Sequence, residues 1–374
     1  MNAIAVLPPG LEVEGSKELS ELGANSVSPL RRCASFQADD ACFYRLLLRA
    51  RLPFRLLREV GRFRCNHSDE LYEGIQRAMD WELWLHPSMS FRVDVSGSNR
   101  GLRHSHYSAL QVKNAIVDFQ RKLWGFRSDI DLDNPDFCIH LHLTEEGAIL
   151  SLDGSSSSLH RRGYRPAMGE APLKENVAAG LIRLTGWDGT GPLVDPVCGS
   201  GTLLIEAASL LNGVAPGLNR KFIVENWLDF NLKAWNYEQL SAQKMVPNEI
   251  LTPEIIGFEN DIKIANEAKS NIKSAGLENS VEIREGHFAS MILPSDVGTI
   301  VCNPPYGKRI GFEDDLATLY HELGIFLKKN ASGWQLWLLS GNPNLTKSLK
   351  MKACRKVPVS NGGIDCRWLN YLIN

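Results

Sequence analysis

The chain has 374 residues, 44% hydrophobic and 22% charged, with 41 Lys and Arg against 43 Asp and Glu for a net charge of −2. That length predicts at least two domains, and the composition excludes long disorder and a histone-like polycation, though not nucleic-acid binding through a local patch. No run of 18 apolar residues occurs, the N-terminal MNAIAVLPPG carries no basic leader, and the eight cysteines are scattered without a CxxC pair. A cytoplasmic protein with reduced thiols, no membrane span and no structural metal is therefore expected.

In chain order, residues 69–85 read as a helix behind an Asp or Ser cap. FRVDVSGS (91–98) alternates as a half-buried strand does. Residues 108–124 place Leu110, Val112, Ile116, Val117, Phe119 and Leu123 near helical spacing, with Ser108 as the predicted N-cap. Residues 137–154 read as two strands joined by a turn at Glu146-Gly147. The first half is thus α+β. The run GSSSSLHRRGYRPAMGEAP (154–172), rich in Gly, Ser, Pro and Arg, marks an interdomain connection.

Beyond it, strand and helix alternate. Strands are predicted over 193–197, 254–260, 280–286, 297–303 and 333–341, with helices over 202–212, 262–277 and 315–329 between them. This alternation predicts a parallel, doubly wound α/β sheet. In such sheets ligands sit beyond the carboxyl ends of the strands.

The first of those ends carries Asp195, then Cys198-Gly199-Ser200-Gly201-Thr202. Two glycines allow close backbone approach to a ligand, and the helix from Thr202 presents N–H groups. The second strand ends in Glu259-Asn260-Asp261, where a carboxylate can accept both hydroxyls of a ribose; Asp261 doubles as a helix cap. Without a full G-x-G-x-x-G a dinucleotide is disfavoured, and a cofactor with adenosine but no phosphate, S-adenosylmethionine, fits better. The 64 residues from Asp195 to Glu259 exceed a compact unit. The excess, 213–250, holds Trp227, Phe230, Trp235 and Tyr237, read as an insertion packing on the sheet edge, with a substrate platform as the lesser reading.

The fourth strand runs into Asn303-Pro304-Pro305-Tyr306-Gly307. Two prolines stiffen the loop and leave its carbonyls free as acceptors. The Asn303 oxygen and the Pro304 carbonyl can each accept a hydrogen from a planar exocyclic amine, and Tyr306 offers a face for stacking. Catalysis is then positioning and electrostatics, without a strong base. Guanine N2, adenine N6, cytosine N4 and a glutamine amide all suit this loop.

VDPVCGSGTLLIEAA, CNPPYG, LHRRGYR…APLKENVAAGLI and the C-terminal NGGIDCRWLNYLIN together resemble the THUMP-containing bacterial methyltransferases that make N2-methylguanosine, above all those acting on 23S rRNA. The resemblance covers nearly the whole chain. It implies a ferredoxin-like subdomain over 1–55, a THUMP RNA-binding domain over 56–155, a linker over 156–172 and a Rossmann-like methyltransferase domain over 173–374. It also implies that Asp195 and the 198–202 loop hold the methionine end of S-adenosylmethionine, Glu259 and Asn260 the ribose, and Asn303 to Tyr306 the target amine. Relatives usually carry an Asp near the adenine. This chain has Glu285-Gly286-His287-Phe288 there, so His287 and Phe288 are the candidates, Phe288 by stacking.

Charge clusters support an RNA partner, 23S rRNA or its precursor particle first and tRNA second. Residues 45–64 hold seven Arg against Glu59, residues 92–127 hold seven Lys and Arg against Asp94 and Asp118, and 347–356 holds five with no acid. Arg100, Arg103, Lys113, Lys122, Arg161 and Arg162 are candidate RNA contacts, as are Lys308 and Arg309 for phosphates flanking a flipped-out base. A DNA or glutamine-amide methyltransferase would leave the N-terminal half unexplained. A non-catalytic RNA-binding assembly factor is the rival from another class.

Overall fold

The computed structural model describes residues 1–155, 157–165, 173–244, 254–306 and 313–374. The chain forms two compact units. The first comprises Met1–Val6, Leu19–Leu159 and Gly217–Leu240; the second comprises Leu7–Glu18, His160–Pro216 and Ser241–Asn374.

The N-terminal elements are β1 (Asn2–Val6), α1 (Glu12–Glu21), β2 (Asn25–Leu30), β3 (Cys33–Gln37), α2 (Asp40–Arg49) and β4 (Arg55–Phe63), a βαββαβ order. They continue through α3 (Ser68–Ala78), α4 (Trp81–Trp84), β5 (Phe91–Gly97), α5 (Ser105–Trp124), β6 (Phe137–Thr144) and β7 (Gly147–Asp153). All seven strands lie in one sheet of order β2-β3-β1-β4-β7-β6-β5. Strand β4 pairs antiparallel with β1 on one side and β7 on the other, so the sheet runs unbroken across residue 55.

Two local readings need correction. The single helix expected over 69–85 is two, because Met79 adopts extended backbone (φ −157, ψ 167) and ends α3. Helix α5 begins at Ser105 behind His104, one turn before the expected cap; Ser108 lies inside it, fully buried. There it packs as a small core side chain.

The aromatic insertion is also placed differently from expectation. Phe222, Trp227, Phe230 and Trp235 belong to the first unit, not to the edge of the second sheet. Trp227 lies 5.7 Å from Phe43, and Phe230 and Trp235 lie 5.5 and 5.4 Å from Tyr44, both on α2. Arg45, one residue further along α2, donates 3.1 and 2.8 Å hydrogen bonds to Glu238, which is 1% exposed. The segment therefore covers the apolar face of α2 and anchors there through a buried ion pair.

The second unit contains α6 (Glu175–Thr185), β8 (Leu193–Asp195) and α7 (Thr202–Leu211), while α8 (Leu232–Lys244) starts within the first unit. Then come β9 (Ile255–Glu259), α9 (Ile262–Ser274) and β10 (Glu282–Glu285). The unit closes with β11 (Thr299–Cys302), α10 (Glu313–Asn330), β12 (Gln335–Ser340), α11 (Pro343–Ser348), β13 (Arg355–Asn361) and β14 (Ile364–Leu372). The sheet order is β10-β9-β8-β11-β12-β14-β13. Five strands are parallel, as expected from their alternation with helices, and the sheet continues through β14, antiparallel to β12, and β13, antiparallel to β14. A hairpin needs only a tight turn, here Gly362-Gly363, whereas another parallel strand would need a crossover. One face of this sheet packs Ile256, Ile300 and Leu336 against Tyr320, Leu323 and Leu327 of α10.

Candidate active site

The strand order places β8 between β9 and β11, so the chain leaves the first strand toward one side and returns on the other. This is the switch point at which open α/β sheets bind ligands. Asp195, Glu259 and Asn303 stand at or just beyond the carboxyl ends of these three adjacent strands.

Asp195 is 2% exposed, and its Oδ1 accepts the Val197 N–H at 3.0 Å. Burial, reinforced by nearby Glu259 and opposed by that N–H, raises its carboxyl to about 8. Glu259 spans two backbone groups, accepting from Gly199 N at 3.0 Å with Oε2 and from Asp261 N at 2.9 Å with Oε1. It thus fixes the glycine loop to the end of the neighbouring strand. Asp261 caps α9 through the N–H groups of Lys263 and Ile264, as expected. Asn260 is exposed.

The loop itself follows from its residue types. Gly199 has φ +54, and a Cβ there would meet nothing within 4 Å, so the loop borders open space on that side. Gly201 (φ +79) is the N-cap of α7. Cys198 is 7% exposed, and its N–H is taken by Phe258 O at 2.9 Å; its side chain is core. The Ser200 carbonyl accepts from Asn271 Nδ2 at 3.1 Å. Thr202 Oγ1 accepts from Arg165 at 2.6 Å.

That last contact belongs to a network the residue patterns did not reveal. Arg165 also donates to Leu173 O at 2.8 Å and lies 3.5 Å from Glu175. Tyr164 Oη donates to Glu206 Oε1 at 3.1 Å, and Arg162 lies 3.7 Å from the same oxygen. The side chains of Arg162 and Glu206 are 5% and 2% exposed. Arg162 is therefore a buried partner of α7, which corrects its reading as an RNA contact; its neighbour Arg161 is exposed. The only sequence signal was the LHRRGYR string itself.

At the end of β11, Asn303 Oδ1 is buried and accepts no hydrogen bond from any described residue. Leaving such an acceptor unpaired costs on the order of 1–3 kcal/mol, which is offset when a ligand supplies the donor. Pro304 is buried, and Pro305 and Tyr306 are partly so. Tyr306 Oη receives hydrogen bonds from Asn361 Nδ2 at 2.8 Å and Cys366 Sγ at 3.5 Å, so the β13–β14 hairpin clamps the loop. Burial holds this hydroxyl well above the usual tyrosine range, so it stays protonated.

After β10, His287 is partly exposed and caps a short 3-10 turn through Ala289 N at 3.2 Å. Phe288 is 2% exposed and packs edge-on against Phe326, 6.1 Å away. No face of its ring is open to an adenine, which corrects the stacking expectation. Lys308 and Arg309 lie outside the described residues.

The other candidate RNA contacts do not form one patch. Arg100 and Arg103 are exposed before α5, Lys113 is half-buried on it, and Lys122 is exposed in its last turn, roughly 25 Å away along the axis. The arginine-rich 45–64 run is largely spent on internal pairs: Arg45 with Glu238, Arg55 with Asp153, and Arg58 with Asp229 at 2.6 Å. Among the described residues no group of three or more His, Cys, Asp or Glu could hold a metal ion, and no helix is long and apolar enough to cross a membrane.

Comparison with known proteins agrees with this fold. Residues 65–153 match the THUMP domain, and residues 162–370 match the family described as "RMKL-like, methyltransferase domain". A Synechocystis protein named "Putative RNA methyltransferase slr0064" is 39% identical over 98% of this chain and 95% of its own length. "Ribosomal RNA large subunit methyltransferase K/L" of Vibrio parahaemolyticus is 37% identical over 99% of this chain, which spans about half (53%) of that relative. The crystal structure of "SMU.472, a putative methyltransferase complexed with SAH" superposes with a TM-score of 0.88 at 27% identity, covering 100% of this chain and 98% of that one. The chain is a methyltransferase with a THUMP domain, and it belongs to the RMKL-like methyltransferase family.

Proposed function

We propose that this protein transfers a methyl group from S-adenosylmethionine to the exocyclic N2 amine of a guanine in RNA, and that the RNA is 23S rRNA or its precursor particle in the cytoplasm. The observation that carries the reading is the buried Asn303 Oδ1, unpaired among the described residues, in a stiff Pro-Pro loop at the strand end beside Asp195 and Glu259. The name of the Vibrio relative supports large-subunit rRNA as the substrate, and the neighbour bound to SAH supports the cofactor.

The residues fit the cofactor on two counts. The missing Cβ of Gly199 leaves room at the loop, and Asp195 is a buried acid without a cationic partner among its described contacts. In this reading Asp195 and the backbone of 198–202 hold the methionine end, while Glu259, with Asn260 beside it, takes the ribose. His287 and the backbone at Phe288 border the adenine. When bound, S-adenosylmethionine supplies an electrophilic methyl on a sulfonium.

Asn303 Oδ1 and the Pro304 carbonyl accept the two amine hydrogens, which turns the nitrogen lone pair out of conjugation with the base. Tyr306, clamped by Asn361 and Cys366, provides the stacking wall that keeps the flipped base in register. The N-terminal sheet, divided as 1–55 and 56–155, grips RNA through Arg100, Arg103, Lys113 and Lys122, and residues 156–172 link it to the methyltransferase domain at 173–374. Lys308 and Arg309 follow the loop closely enough in sequence to meet flanking phosphates.

The test is transfer of labelled methyl from S-adenosylmethionine to separated rRNA and tRNA from cells lacking this protein, followed by nucleoside digestion. Label in N2-methylguanosine from large-subunit rRNA is the expected result. The same nucleoside from tRNA would keep the chemistry and move the substrate. No label in any RNA, precursor particles included, would refute the catalytic reading in favour of an assembly factor.

A further inference from the structure

The third basic run, 347–356, has no place in the site described above, yet the fold brings it beside that site. Between the end of α11, the segment 351–353 and the face of the β13–β14 hairpin lies a cavity of about 800 Å³. Strand register explains its wall. Lys356, Pro358 and Ser360 of β13 stand opposite Leu369, Arg367 and Asp365 of β14, so their side chains share one face. Lys347 and Lys352 line the same cavity. Four cations thus line the cavity against one acid, Asp365, and all four are exposed.

Two of its lining residues also touch the proposed base pocket. Cys366 donates to Tyr306 Oη, and Gly341 lies so close to the Tyr306 ring that a Cβ there would sit 3.1 Å from it. The loop that receives the amine and the cationic cavity therefore share a wall. A cavity of this size exceeds the need of a single nucleotide, and its charge suits a phosphodiester. A base turned out of its strand needs its backbone held on at least one side.

We propose that this cavity is a second RNA subsite, which receives the nucleotide adjoining the target base and holds its phosphate on Lys347, Lys352, Lys356 and Arg367. The inference rests on the RNA reading above.

The test uses the full chain with Lys347→Ala, Lys352→Ala and Lys356→Ala combined. A control carries Lys273→Ala, Lys328→Ala and Lys329→Ala, exposed lysines in the last turns of α9 and α10 and so at the opposite end of the sheet. Single-stranded rRNA fragments are titrated at several salt concentrations, and kcat and KM are measured separately. The pocket variant is expected to raise the RNA Kd and KM at least tenfold at about 0.1 M salt. Its log Kd against log salt slope should fall by about 0.7 for each phosphate that the variant no longer neutralises. Affinity for S-adenosylmethionine stays unchanged, the control matches the wild type, and Lys→Arg at the three pocket positions restores RNA binding. A pocket variant equal to the wild type, or to the control, overturns the subsite. Wild-type protein that transfers no methyl to any RNA fails the underlying reading instead.

Discussion

Replacing Asp195 with Asn should stabilise the cofactor-free protein while weakening its hold on S-adenosylmethionine. The Asp195 carboxyl titrates near 8 when folded, against 3.8 as its ordinary value. With the folded value raised, stability is full below about pH 4 and is lost progressively as pH rises to about 8, because the folded state keeps a proton the unfolded chain has released. At pH 7 that spans about three pH units at about 1.4 kcal/mol each, or about 4 kcal/mol. Asn needs no proton, and its Oδ1 can still accept the Val197 N–H, but its amide hydrogens are new buried donors costing about 1–3 kcal/mol. The net expectation is a gain of about 1–3 kcal/mol at pH 7, or several degrees in Tm for a domain of this size. Calorimetry without cofactor at pH 5, 6, 7 and 8 should show the gap between variant and wild type widening with pH. Isothermal titration at pH 8 should show S-adenosylmethionine bound at least tenfold more weakly by the variant. A variant less stable than the wild type at pH 8, or a gap that does not grow with pH, would refute the burial argument.

Asn303→Ala should lower methyl transfer at least tenfold while leaving the RNA Kd within a factor of two, since it removes one acceptor from the amine and leaves every phosphate-binding group in place; a rate like that of the wild type would remove Asn303 from catalysis. Glu206→Ala strips the carboxylate from Arg162 and Tyr164, and urea unfolding should register a loss of about 3–5 kcal/mol; a loss below 1 kcal/mol would mean the pair is wetter than the structure implies. His140, partly buried beside Ser96 Oγ at 3.1 Å, has its ring lowered to about 4 by desolvation. A lowered value means stability is present above about pH 6.5 and is lost as pH falls, by about 2 kcal/mol at pH 5. His140→Gln should flatten that acid slope in denaturation curves taken between pH 4 and 7, and an unchanged slope would assign it elsewhere.

The parallel core was legible because β8, β9 and β11 are short apolar runs with a helix next along the chain, so local pattern and tertiary role agree. The ends of β8, β9 and β11 were legible too, since Asp195, Glu259 and Asn303 are polar residues at the close of apolar runs. The hairpin of β13 and β14 was visible only through resemblance, since KVPVSNGGIDCRW alternates weakly and includes Pro358. The fate of the arginines could not be read. Nothing near Arg45, Arg55 or Arg58 in sequence announces Glu238, Asp153 or Asp229 as its partner, so a run that looks like a phosphate face is mostly internal ion pairs. Phe288 misled for a related reason: position after a strand suggests a ligand contact, while burial against Phe326 decides otherwise.

The alternation of segments between the two units has a consequence for how the chain is made. At synthesis rates of about 5–20 residues per second, Phe43 and Tyr44 emerge many seconds before Trp227, Phe230 and Trp235, the rings that cover them. Likewise β12 waits for β14, which pairs along its whole length. Neither unit can be completed by a nascent chain cut anywhere in the first 200 residues, and no single cleavage releases either one intact. Ribosome-associated chaperones would meet an uncovered α2 until 217–240 emerges and, later, an open β12 edge until β14 follows, and a slowed codon between 217 and 240 would prolong the exposure of α2 rather than help it fold.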